Sequence, residues 1–111
     1  MVMLVIILPQ SDVLEDILEA FLEVGVTGST VLDARGMGQI LSEEIPIFAG
    51  IRGLFPGRES QHSLLLSVVE EEKADAILKM LPEICGPLSR KGSGIAFTVP
   101  VDRVQGMAKE L

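Results

Sequence analysis

The 111-residue chain contains no Trp and no Tyr, and its aromatic residues are four Phe. With 48% apolar residues, its core must be assembled from Leu, Ile, Val, Met and Ala. The single cysteine, Cys85, excludes an internal disulfide framework and suits a reducing cytoplasm. His62 and Cys85 stand alone and far apart, so they make no structural zinc site without help from other chains. No apolar run approaches the roughly 20 residues of a membrane helix. The longest, residues 2–8, has the length of a strand and lacks the basic flank and cleavage site of a signal peptide. Bases are also scarce. Nine Lys and Arg against sixteen Asp and Glu give a net charge of −7, which excludes broad nucleic-acid binding because no excess cation is available to displace counterions.

What is present reads as one domain spanning residues 1–111. Residues 2–8 are continuously apolar and β-branched, and Pro9 follows, as expected of a strand buried on both faces. Asp12 offers a helix N-cap with Glu15 in capping-box position. Leu14, Ile17, Leu18, Phe21 and Val24 then form a helical apolar stripe, stopped by Gly25, while Glu15, Glu19 and Glu23 mark the solvated side. Residues 29–34 read as a second strand. From Gly36 to Gln61 neither period is sustained, and glycines 36, 38, 50, 53 and 57 with prolines 46 and 56 punctuate a long loop. Residues 63–69 predict a third strand. Residues 70–81 predict a helix with Ala74, Ile77, Leu78 and Leu81 on one face, ended or kinked by Pro82. Residues 95–99 predict the fourth strand, with Pro100 then interrupting the pairing, as is tolerated at an edge or a strand end.

The order βαββαβ gives an α+β ferredoxin-like sandwich: a four-stranded antiparallel sheet, two helices, and a long loop between strands two and three. Two helices cover one face of such a sheet. The first and third strands, the expected central pair, are nevertheless apolar on both sides, through Val5, Ile6 and Ile7 and through Leu64, Leu65 and Leu66. An apolar face of that size predicts a homo-oligomer.

Two glycine segments bear on binding. Arg35-Gly36-Met37-Gly38-Gln39 opens the long loop, either as simple turn geometry or as backbone that a ligand approaches closely. Arg90-Lys91-Gly92-Ser93-Gly94 precedes the fourth strand, either as a solvated basic turn or as a phosphate site with point charge, guanidinium fork and free amides. It enters a strand, so it is no P-loop. Most acids lie on or beside the two helices, and Arg35, Arg52, Arg58, Arg90, Lys91 and Arg103 lie outside them. That distribution suits a small anion. No catalytic constellation emerges. His62 lacks partners for a triad, Cys85 reads as an inert core thiol, and Glu43 with Glu44 are adjacent loop acids rather than a spaced pair. The loop is unexpectedly apolar at residues 47–51 and 54–55, which suits packing on its own body or docking to a partner.

Those segments together resemble the PII-like signal-transduction superfamily, over nearly the whole chain in element order. The specific pieces are Glu23-Val24-Gly25-Val26-Thr27-Gly28-Ser29-Thr30, Arg35-Gly36-Met37-Gly38, Gly92-Ser93-Gly94 and Val101-Asp102-Arg103-Val104. The resemblance implies a cytoplasmic, non-enzymatic regulator connected with nitrogen, trimeric, with no membrane insertion and no tightly bound cofactor. It implies an adenine nucleotide or related effector in clefts between subunits, and a T-loop, residues 37–61, that engages a transporter or enzyme. It assigns Gly36, Gly38 and Gln39 to one wall of the cleft, Thr30 to its base, and Arg90, Lys91, Gly92, Ser93 and Gly94, with Arg103, to the phosphates. The resemblance is that of a divergent PII-like protein, not a nitrogen-regulatory one in the strict sense: Ile95 stands where nitrogen-regulatory members carry a phosphate-binding Lys, Gln105 and Gly106 stand where further arginines occur, and the loop has no Tyr for uridylylation. Either Arg90 and Lys91 substitute for the missing Lys, or the ligand is different or less charged. The alternatives are a ligand-free interaction scaffold acting through the loop, and a metal-binding trimer like the divalent-cation-tolerance proteins of similar fold.

Overall fold

The computed structural model describes residues 1–9, 12–44, 62–87 and 94–106. Strands β1 (Val2–Leu8), β2 (Thr30–Ala34), β3 (His62–Val69) and β4 (Ile95–Pro100) form one antiparallel sheet in the order β2-β3-β1-β4. Helices α1 (Leu14–Glu23) and α3 (Glu71–Cys85) pack on one face, and a short helix α2 (Met37–Glu44) follows β2. This is the ferredoxin-like α+β fold, with β1 and β3 central as their doubly apolar sequences require.

The core lies between sheet and helices. Leu4, Ile6 and Leu8 of β1 and Leu65 and Val69 of β3 meet Ile17 and Phe21 of α1 and Ala74, Ile77 and Leu81 of α3. Ile17, Ala74 and Ile77 are wholly inaccessible, and each of the two Ile side chains contributes about 1.5–3 kcal/mol by leaving water. The helical stripes are those the spacing predicts, with Leu14, Leu18, Val24 and Leu78 packed at the margin. Gly25 ends α1 in a left-handed conformation at φ 85°. The Gly25 amide donates to Leu22 O at 3.0 Å and the Val26 amide to Phe21 O at 2.8 Å, a Schellman stop in which buried Val26 and Phe21 supply the apolar contact.

Four local expectations are corrected. Asp12 does not cap α1: the N-cap is Val13, with no side-chain hydrogen bond, and Asp12 lies in the preceding turn. Pro82 does not end α3, which continues to Cys85. The roughly 3 kcal/mol that an interior Pro costs is offset because Ile84 and Cys85 pack against the core. The loop predicted over 37–61 begins with helix α2, where Ile40 and Leu41 are half-buried. Two turns containing a glycine are too short to show a period, so the sequence conceals them. Pro100 belongs to β4, opposite Val2 at the end of an edge strand. The remainder of the predicted loop, including its apolar residues 47–51 and 54–55, lies outside the described residues.

The face away from the helices carries Thr30, Leu32 and Ala34 of β2, His62, Leu64, Leu66 and Val68 of β3, Met3, Val5 and Ile7 of β1, and Ile95, Phe97 and Val99 of β4, by strand alternation and register. Among the described residues no helix covers this surface. Leu32, Ile95, Phe97 and Val99 are 42%, 54%, 40% and 38% exposed. Among the described residues no helix is long and apolar enough to cross a membrane.

Candidate functional site

The predicted site residues do not share one end of the sheet. At one end lie Met1, the first residues of β1 and the last residues of β3 and β4, while the shorter β2 starts with Thr30 level with Leu66, midway along β3. At the other lie Leu8, Ala34, His62 and Ile95.

At the first end a cleft of about 990 Å³ is lined by the 25–30 segment, residues 66–69, Lys73, Met1, Met3 and residues 104–106. Thr30, exposed and opposite Leu66, stands at its edge as the first residue of β2. Three side chains hold the incoming segment. Ser67 Oγ donates to Gly28 O at 2.6 Å, Lys73 Nζ donates to Gly25 O at 3.2 Å, and Ser29 Oγ donates to Leu66 O at 3.4 Å. Ser67 is buried in β3, so its bond to Gly28 removes the cost of an unsatisfied hydroxyl and draws the segment against the sheet. The wall of the cleft thus offers hydroxyls, backbone amides and carbonyls beside Met1, Met3 and Val68. Arg103 lies one residue beyond the lining, its Nε 3.9 Å from Asp102 Oδ2, with both side chains almost fully exposed.

At the second end β2 runs out through Arg35 into Gly36, whose carbonyl accepts the Ile40 amide at 3.1 Å and so starts α2. Gly38 is buried and Gln39 half-buried beside it, with Gln39 Oε1 inaccessible to solvent. Gly94 enters β4 with φ 112°, and a methyl carbon there would lie 2.7 Å from Ile7 O and 3.2 Å from Pro9 Cδ. Both the backbone and the space require glycine at this position. Arg90, Lys91, Gly92 and Ser93 lie outside the described residues.

Gly36, Gly38 and Gln39 leave β2 and Gly94 enters β4 at the same end of the sheet but on its two opposite edges, three strand spacings or ~14 Å apart, while Thr30 lies at the other end of β2 and Arg103 beyond the far end of β4. Four residue steps of β2 between Thr30 and Ala34 alone amount to ~13 Å. Sequence reasoning missed Ser67 and Lys73. A trace of Ser67 is visible, since Ser63 and Ser67 interrupt an apolar strand in its own period. Nothing local marks Lys73, which reaches Gly25 from another helix. Cys85 packs at the core margin, its thiol held above its ordinary value first by burial and then by the nearby Asp12 carboxylate. Among the described residues no three His, Cys, Asp or Glu side chains gather closely enough to hold a metal ion.

A comparison with curated proteins finds no match. A family model described as Nitrogen regulatory protein P-II matches residues 1–110. With sheet order, glycine turns and family model in agreement along the whole match, the chain belongs to the P-II family of nitrogen regulatory proteins.

Proposed function

We propose that this protein is a cytoplasmic, non-enzymatic homotrimeric regulator that binds an adenine nucleotide between subunits and controls a transporter or enzyme through residues 37–61. The observation that carries this reading is the spread of the candidate residues over both ends of β2 and both edges of the sheet, beside an uncovered apolar face. A ligand that needs both ends must take one from each of two copies. Contacts of that head-to-tail kind close into a ring when the rotation permits, and the apolar face supplies the surface that ring formation would bury. Gly36, Gly38, Gln39 and the Arg90–Gly94 turn of one copy would then face Thr30 and Arg103 of the next. The nucleotide is an effector rather than a resident cofactor. It acts by favouring the loop state that the partner also favours, so each ligand strengthens the other.

The test joins native mass with thermal melting in ATP, ADP, AMP, cyclic nucleotides and 2-oxoglutarate. A trimer is expected, with adenine nucleotide at a hundredfold over its Kd adding about 2.7 kcal/mol of stability. Replacing Arg90 and Lys91 together by Ala removes the gain. A single-chain mass, or no shift with any nucleotide at millimolar concentration, refutes the reading.

A further inference from the structure

Gly36 is a glycine for a reason its backbone does not supply. Positive φ among the described residues is confined to Gly25, Gly86, Gly94 and Gly106, so residue 36 adopts a conformation open to other amino acids. As the start of a helix it would also accept Ser, Asp or Asn at least as well. What a side chain there would meet is His62, whose ring would have to move to admit it. A methyl carbon on Gly36 would lie 2.5 Å from Cε1, 3.2 Å from Nδ1 and 3.4 Å from Nε2 of the imidazole. His62 opens β3 opposite Ala34, the last residue of β2, so the ring leans over the exit of the strand and onto the first residue of the turn.

We propose that His62 is the positioning residue of the Gly36–Gly38 turn: the imidazole occupies the space at residue 36 and fixes where β2 ends and α2 begins. Gly36 is bare to seat this ring, and a ligand that meets the turn meets a surface whose position His62 sets. The use of that surface by a nucleotide rests on the function proposed above; the seating of the ring does not.

His62 is the only histidine of the chain, so its ring gives one Hε1 signal, and a nuclear Overhauser contact from it to the Gly36 α-protons is expected in the intact protein. In melting experiments Gly36→Ala should lower Tm by roughly 3–6 °C, and adding His62→Ala should recover at least half of that loss. A loss due only to poorer helix capping by Ala would not be recovered, because His62 takes no part in it. Affinity for ATP should fall about tenfold in His62→Ala and return to within about threefold in His62→Gln, which restores a planar group that can reach the turn. Absence of the Overhauser contact, or strictly additive losses in the double variant, overturns the proposal. If the unaltered protein binds ATP, unchanged affinity in His62→Ala overturns the statement that the ligand meets a surface whose position His62 sets. If the unaltered protein binds no ATP, the nucleotide reading fails, and the Overhauser contact and the double variant still decide the role of His62.

Discussion

Replacing Phe97 by Asp places a carboxylate on the uncovered sheet face, midway along the edge strand β4. Phe97 points away from the helices, opposite Val5 of β1, and is 40% exposed in the single chain. A Phe side chain offers about 200 Å², so roughly 80 Å² per copy remains for a neighbour to cover, about 2 kcal/mol at ~25 cal/mol per Å². A trimer would forfeit about 6 kcal/mol in all, or more than four orders of magnitude in its dissociation constant. Desolvating the new carboxylates adds several kcal/mol each in the same direction. The fold of the chain should persist, because Phe97 is not among the residues packed between sheet and helices. Native mass spectrometry at micromolar protein should therefore show single chains with an unchanged far-ultraviolet circular dichroism spectrum. Thr98→Asp is the control: Thr98 is exposed on the helix side of the same strand, opposite Leu4, and the oligomer should survive. If Phe97→Asp stays oligomeric with an unaltered Tm, this face is not the assembly surface, and the argument from the apolar sheet fails.

Gly94→Ala should cost at least about 2 kcal/mol, since φ 112° and the Ile7 carbonyl 2.7 Å from the new methyl act together; urea denaturation measures it, and a neutral result would contradict the strand entry described. Pro82→Ala should stabilise by about 1–2 kcal/mol, the helix-propensity gain of up to about 3 kcal/mol being reduced by the freer unfolded chain. A lower melting temperature would show that the Pro ring itself packs usefully. Cys85, held above its ordinary value by burial and by Asp12, should react with iodoacetamide more slowly in the native than in the unfolded protein near pH 8. Because the folded state holds this proton more tightly, its contribution to stability is complete below the unfolded thiol pKa and declines as pH rises through the folded one. Equal alkylation rates would contradict this.

The elements that sequence made legible share one property: their signal is local and periodic. The β1 run, the stripes of α1 and α3, and the Gly25 stop are each written within about ten residues, and each forms as expected. The misreadings came where distant contacts outweigh local preference. Pro82 is a helix breaker by propensity, yet Ile84 and Cys85 gain more by packing on the core than the helix loses. Asp12 has the chemistry of a cap, but the turn before α1 carries it past the cap position. For the candidate site, the glycine turns were visible as residue types, while their geometry was not. Ser67 and Lys73 act on Gly28 and Gly25 from other elements, and no spacing rule joins such pairs.

The sequence by itself determined that β1 and β3 are apolar on both faces, and hence that two helices leave an apolar surface uncovered. It also determined which residue types stand at the turns. Only the tertiary structure decided that Ser67 and Lys73 hold the segment entering β2, and that Gly36 is bare because His62 lies against it. The physical reason is that periodicity records which side of an element faces water, a property of neighbours in the chain. Strand register and helix packing decide which residues from remote parts of the chain share a point in space.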